Sequence, residues 1–157
     1  MAYSVNQVRW EQAAPILRNI REKVCICEWR TPKHIEFDHL DTQAYHILIY
    51  NEPKHLPIAT GRMLPSGEIS RIAVLTGFRQ QNIDKAILQG LCNIAKNLDL
   101  IDVFMLKRLD STDQFIDENF CRVGHVFMEA GIAKQRMVCS IEQVLTELNN
   151  PKYQMKH

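Results

Sequence analysis

The chain has no long hydrophobic run. Stretches such as His46-Ile47-Leu48-Ile49-Tyr50 fall far short of the ~20 apolar residues that cross a bilayer, which excludes a multi-span membrane protein. An excess of charge of one sign is missing too. Nineteen Lys and Arg stand against eighteen Asp and Glu, a formal charge of +1. No global field therefore draws the chain to nucleic acid or to an anionic membrane, and any basic site must be local. Cys25, Cys27, Cys92, Cys121 and Cys139 form an odd set without a Cys-x-x-Cys pair. Such a set suits free thiols and small buried side chains in a reducing cytoplasm, where we expect the protein, and not a disulfide framework. Met1-Ala2-Tyr3-Ser4-Val5-Asn6 has no basic stretch followed by an apolar one, so no secretory signal is read. Also absent are a Gly-x-Ser-x-Gly elbow, a Gly-x-x-x-x-Gly-Lys phosphate loop and a dinucleotide fingerprint. Cys25, Cys27, His34 and His39 make a poor zinc set, because a one-residue gap inside an apolar helix puts the two thiols on different faces. No metal site is expected.

What is present is the substance of one domain over residues 1–157: 18.3 kDa, 46% hydrophobic and 24% charged, with no repeat, linker or charge run to divide it. Tyr3 to Arg9 alternates as a strand. Ile16, Leu17, Ile20 and Val24 then recur at helical spacing, a helix compatible with Pro15 only in its first turn. Arg30 to Thr42 reads as a loop with a short helical turn. His46–Tyr50, Leu56–Leu64 and Glu68–Leu75, joined by turn-rich links, predict an antiparallel meander. Ile83, Ile87, Leu91, Ile94 and Leu98 mark the strongest helical stripe in the chain. Ile101–Leu106 suits a buried strand, Ser111–Asn119 a helix, and Val123–Met128 with Lys134–Cys139 a hairpin around Ala130-Gly131. Ser140-Ile-Glu-Gln143 has capping-box spacing and opens a C-terminal helix over about 141–149, with Val144 and Leu148 facing the core or a second subunit of a homodimer.

Several stretches match one family in order and separation: Glu36-Phe-Asp-His-Leu-Asp41 before His46-Ile-Leu, Ser70-Arg-Ile-Ala-Val74 before Phe78-Arg79, and Phe120-Cys-Arg-Val-Gly124 through Glu129-Ala-Gly-Ile132 to Gln135-Arg-Met137. Together they resemble the GCN5-related N-acetyltransferase (GNAT) superfamily, particularly its small bacterial ElaA-like branch. The resemblance spans roughly Val8 to Val138. It implies an α/β fold with a mixed, mostly antiparallel central sheet of about six or seven strands flanked by helices, splayed where the strands before and after the long helix part. It also implies transfer of an acetyl group from acetyl-CoA to an amine on a small molecule or peptide, with no nucleic-acid or membrane partner.

A strand ending at Val74, a loop, and a helix opening near Ile83 would aim free N–H groups at an anion such as the pyrophosphate of coenzyme A. By the resemblance, Ile72, Ala73, Val74, Arg79, Gln80, Gln81, Asn82, Ile83, Asp84 and Lys85 would hold the cofactor. The family pattern Arg/Gln-x-x-Gly-x-Gly/Ala becomes Arg79-Gln80-Gln81-Asn82-Ile83-Asp84 here, with side chains at both glycine positions. Asn82 tolerates left-handed backbone. Asp84 caps an empty helix well but repels pyrophosphate. Ile116 stands where the family's acid Tyr would be, and Asn119 where a Gly would follow; no acid is assigned to Tyr45 or Cys121. The resemblance makes Glu68 the candidate base, removing a proton from the attacking amine. Glu36, Asp38 and Asp41, near Glu28, form an acidic rim for a cationic acceptor. The alternative is a degenerate member that keeps the fold as a binding or oligomerisation module.

Overall fold

The computed structural model describes residues 2–79, 82–109 and 119–147. The first strand, β1 (Ala2–Val8), leads into α1 (Trp10–Arg21), which continues as a π-helix over Glu22–Glu28. A short α2 (Lys33–Glu36) and a 3-10 turn (His39–Thr42) follow, and then the meander β2 (Tyr45–Glu52), β3 (Leu56–Met63) and β4 (Ile69–Val74). After a second 3-10 turn come α3 (Ile83–Asn97), β5 (Asp102–Arg108), β6 (Cys121–Glu129), β7 (Ile132–Ser140) and α4 (Ile141–Thr146).

The strands form two antiparallel sheets, one ordered β1-β2-β3-β4 and the other β5-β7-β6. Apolar side chains decide the layers. Ile47, Ile49, Ile58, Ile72 and Val74 from the first sheet pack with Ile83, Ile87 and Leu91 of α3, and with Val103, Met137 and Cys139 of the second sheet, in one continuous cluster. Leu48 and Ala73, on the opposite face, meet Trp10, Leu17 and Ile20 of α1. Gly61 makes the close approach to α3 possible, since a Cβ there would lie 2.3 Å from Ile87 Cγ2.

The predicted meander, long helix and closing hairpin are all present, and Ser140 Oγ accepts from Gln143 N at 3.4 Å as the capping spacing implied. Val144 is buried in the chain's own core; Leu148 lies outside the described residues, as does most of the predicted Ser111–Asn119 helix. The first helix differs from its prediction. It starts at Trp10, so Pro15 sits inside it and not in the first turn. The buried stripe is Trp10, Ala13, Leu17, Ile20 and Val24, and burying the Trp10 end outweighs the backbone bond that a proline forfeits. Leu98, expected on the α3 stripe, is exposed because the helix has already ended at Asn97.

Candidate functional site

β4 is an edge strand of one sheet and β5 an edge strand of the other. They meet at a single parallel bridge, Glu68↔Phe104, where Phe104 N donates to the Gly67 carbonyl at 3.0 Å. Gly67, at φ +98°, allows this contact; its Cβ would stand 3.3 Å from the Asp102 carbonyl oxygen. Beyond the bridge β4 runs on to Val74 and β5 to Arg108 without another pair, so the strands part into a cleft with its apex at Glu68. Leu75 N donates to Ile58 O, and Leu64 N to Glu68 O. Antiparallel alternation then turns the N–H and C=O groups of Ile69 and Val74 away from β3, toward the cleft.

Glu68 itself is half-buried at this apex, and among the described residues no hydrogen bond or ion pair engages its carboxylate. Close by, the Arg136 guanidinium lies 4.0 Å over the ring of Phe104.

At the mouth, Asn82 adopts φ 57° and ψ 27°, the left-handed shape read for it from the sequence, and precedes α3 without a side-chain cap. The side chains of Ile72, Ala73, Val74 and Ile83 are buried in the two cores, so these residues offer a ligand only their backbone. Asp84 Oδ1 accepts from Lys85 N at 2.9 Å in the first turn of α3. Lys85 pairs with Glu147, the residue that closes α4, whose other oxygen accepts from Asn119 Nδ2 at 2.7 Å. Arg79 donates through Nε to the Val74 carbonyl at 2.9 Å and through both terminal nitrogens to Glu28. That bidentate pair holds the Glu28 carboxyl below its ordinary range. Gln80, Gln81 and Ile116 lie outside the described residues.

The acidic segment does not stand open. Glu36 and Asp41 are buried and Asp38 is half-buried. Arg21 Nε donates to Glu36 Oε2 at 2.6 Å and its Nη1 to Asp41 Oδ1 at 2.8 Å. Arg62 Nη1 donates to Asp38 Oδ1 at 2.7 Å and to Asp41 Oδ1 at 3.1 Å. Arg71 reaches Asp38 Oδ2 at 3.1 Å and the carbonyls of Ile35 and Glu36 at 2.9 and 3.1 Å. Three carboxylates thus neutralise three guanidiniums, which is what makes the burial tolerable. Burial alone would lower the pKa of Arg21, but Asp41 and Glu36 more than compensate and raise it. Arg71 falls the other way, through burial and then the neighbouring Arg62. Burial would raise Asp38, yet Arg62 and Arg71 hold it below its usual value. Burial pushes the Cys25 thiol far up, with Glu36 adding to it, so this cysteine is inert. Burial also lowers His46, whose Nε2 must carry the proton because it lies 2.9 Å from the Asp41 carbonyl oxygen.

Sequence reasoning did not single out Arg21, Arg62, Glu147 or Arg136. Arg62 carried the clearest signal, since it stands inside the apolar run from Ile58 to Leu64, where an arginine must find acids to be buried. Among the described residues no helix is long and apolar enough to cross a membrane, and no group of three or more His, Cys, Asp and Glu is placed to hold a metal ion.

No protein-family model matches the chain. The protein YyaT of Bacillus subtilis (strain 168) is 30% identical to it over 133 residues, covering 81% of this chain and 88% of that one. Among solved structures, an acyl-CoA N-acyltransferase from Pseudomonas aeruginosa is similar with a TM-score of 0.70 at 19% identity, covering 88% of this chain and 99% of that one. Escherichia coli ElaA is similar with a TM-score of 0.69 at 17% identity, over the same shares of the two chains. The chain belongs to the family of YyaT, and it shares the fold of the solved acyl-CoA N-acyltransferase and of ElaA.

Proposed function

We propose that this protein is an N-acyltransferase that moves an acyl group from an acyl-coenzyme A, acetyl-CoA first among them, to an amine by direct attack. The observation that carries this reading is the parting of β4 and β5 after one bridge. It leaves strand edges with unused N–H and C=O groups, which suit the extended, amide-bearing arm of coenzyme A. Ile72 and Val74 would contribute backbone to that arm, Val74 through its N–H because its carbonyl accepts from Arg79, while Ala73, opposite Thr60, turns its backbone to β3. The Arg79-to-Lys85 stretch, with its left-handed Asn82 and the N-terminus of α3, would face the pyrophosphate. Glu68, unengaged at the apex, would take the proton that the ammonium must lose before its nitrogen attacks the thioester carbon. The C–S bond then breaks, and the second proton, which the acylated nitrogen sheds, passes through water to the leaving thiolate.

Of the expected acidic rim, only Asp38 keeps a part-exposed carboxylate, and it is already paired with Arg62 and Arg71; the acceptor would meet one neutralised carboxylate there and not an acidic field. None of the five cysteines is in a disulfide, which supports work in the cytoplasm.

A specific observation favours the second reading, a module without catalysis. Arg79 is already bonded to Glu28, and Asp84 stands in the first turn of α3 where a phosphate would come. Calorimetry with acetyl-CoA separates the two. Binding that tightens about tenfold in an Asn82→Gly/Asp84→Gly double variant, roughly 1.4 kcal/mol, supports the transferase; no binding by either protein supports the module. Glu68→Gln should lower turnover most at lower pH, where deprotonated amine is scarce, and an unchanged rate would remove Glu68 from the mechanism.

A further inference from the structure

Between the pairs Thr60↔Ala73 and Arg62↔Ser70, one residue of β3, Gly61, faces two residues of β4, Arg71 and Ile72. The core explains why one extra residue is needed. Ile72 and Val74 pack toward α3 and Ala73 toward α1, while Ile69 also packs toward α3, so the strand must change phase between its two ends. The core does not explain which residue absorbs the change. Arg71 does so, at φ 56°, a left-handed conformation that glycine or asparagine adopts readily and arginine does not.

The guanidinium supplies the reason. It is bonded to Ile35 O, Glu36 O and Asp38 Oδ2, all outside the sheet. Those acceptors are themselves fixed: Glu36 by Arg21, and Asp38 by Arg62 and by the backbone N–H of Leu40. β3 cannot fill the bulge from its own side, because a Cβ on Gly61 would collide with Ile87.

We propose that Arg71 is a positioning residue for acyl transfer: anchored on the 33–42 segment, it holds the bulge of β4 that sets how the strand's free edge faces the cleft. The kinetic consequence rests on the acyltransferase reading above; the structural consequence does not. Two measurements on the full chain test it, amide hydrogen exchange over residues 69–74 and steady-state kinetics with acetyl-CoA and a simple amine. Arg71→Ala should speed exchange and lower kcat by about tenfold or more, because misplacing a reacting group by an ångström is enough for such a loss. Its KM for acetyl-CoA should stay within about twofold of the parent value if positioning, not binding, is what is lost. Arg71→Lys, with a charge but no planar fork, should not rescue kcat. Arg71→Gly, free to hold a positive φ unaided, should lie closer to the parent in both measurements than Arg71→Ala does.

Parent-like exchange and kcat in Arg71→Ala would overturn the proposal. So would equal kcat losses in Arg71→Ala and Arg71→Gly with exchange unchanged, which would mean that the guanidinium touches substrate. If the parent turns over no acyl-CoA, the acyltransferase reading fails and the exchange measurement alone decides, faster exchange in Arg71→Ala than in Arg71→Gly supporting the anchor and parent-like exchange refuting it. If Arg71→Ala does not fold, Asp38→Asn replaces it, with severalfold faster exchange over 69–74 expected and no change overturning the proposal.

Discussion

The two sheets that meet at Glu68 and Phe104 are finished differently. The β1–β4 sheet is covered on both faces, by α3 on one and by α1 on the other, and beside it there is enough depth to bury Arg21, Arg62, Glu36 and Asp41. The β5–β7–β6 sheet gives Val103, Met137 and Cys139 to the shared core, yet its outer strand leaves Val123, Val126 and Met128 exposed. In the first sheet a charge survives only because its partners are in place. In the second, a side chain on β6 has little to lose.

The contrast is broken most severely by Arg62→Ala. That change leaves Asp41, which is buried, with one arginine fewer and removes the bond to Ser70 Oγ; breaking a buried ion pair from one side costs about 3–5 kcal/mol. Met128→Lys on β6 should change stability by no more than about 0.5 kcal/mol. Urea unfolding of both variants checks the pair of values. A loss below about 1 kcal/mol in Arg62→Ala would mean the cluster behaves as a surface one.

Two glycines sharpen the comparison at smaller cost. Gly61→Ala in the first sheet forces a methyl group against Ile87, and overpacking of this kind costs about 1–3 kcal/mol. Gly124→Ala in the second sheet meets nothing within 4 Å and pays only for its φ of +78°, about 1 kcal/mol. Comparable losses in the two variants would show that the first sheet yields more readily than its contacts suggest.

The smallest effect is one of pH. Burial holds the folded pKa of His46 below its ordinary 6.5, so the folded protein binds fewer protons there than the unfolded chain. The stability His46 contributes is therefore complete above that ordinary value and is lost as pH falls through it toward the folded pKa. Asp38, also depressed, adds a second loss in the same direction at lower pH, below its ordinary 3.8. Unfolding free energies measured between about pH 7 and pH 5.5 should fall for the parent and stay flatter in His46→Gln. An equal slope in both would place the titration elsewhere.

Much of this architecture could be read from the sequence because apolar spacing reports burial directly. Ile83, Ile87, Leu91 and Ile94 are buried as their spacing required, and the splay between β4 and β5 is what the family resemblance implied. The charged groups could not be read in that way. Arg21, Arg62 and Arg71 look like surface residues until the 33–42 segment folds across them; Arg21 and Asp41 stand 20 residues apart. Pattern alone cannot show that an acidic stretch is facing inward, which is why Glu36 and Asp41 read as an open rim. The left-handed turn at Arg71 left no trace either, because the residue that takes it is held there by tertiary bonds and not by its own preference.

The outer edge of β6 has one more consequence. A flat strand bearing Val123, Val126 and Met128 would offer an unpaired, apolar ladder on which a second chain could add strand by strand. β6 is not flat. Its register shifts between Val123 and Phe127, Gly124 turns to a positive φ, and Gln135 Nε2 donates to the Gly124 carbonyl at 3.0 Å. Together with the exposed Arg122 and His125 on either side of Gly124, that interruption makes the edge a poor template and guards the chain against aggregation.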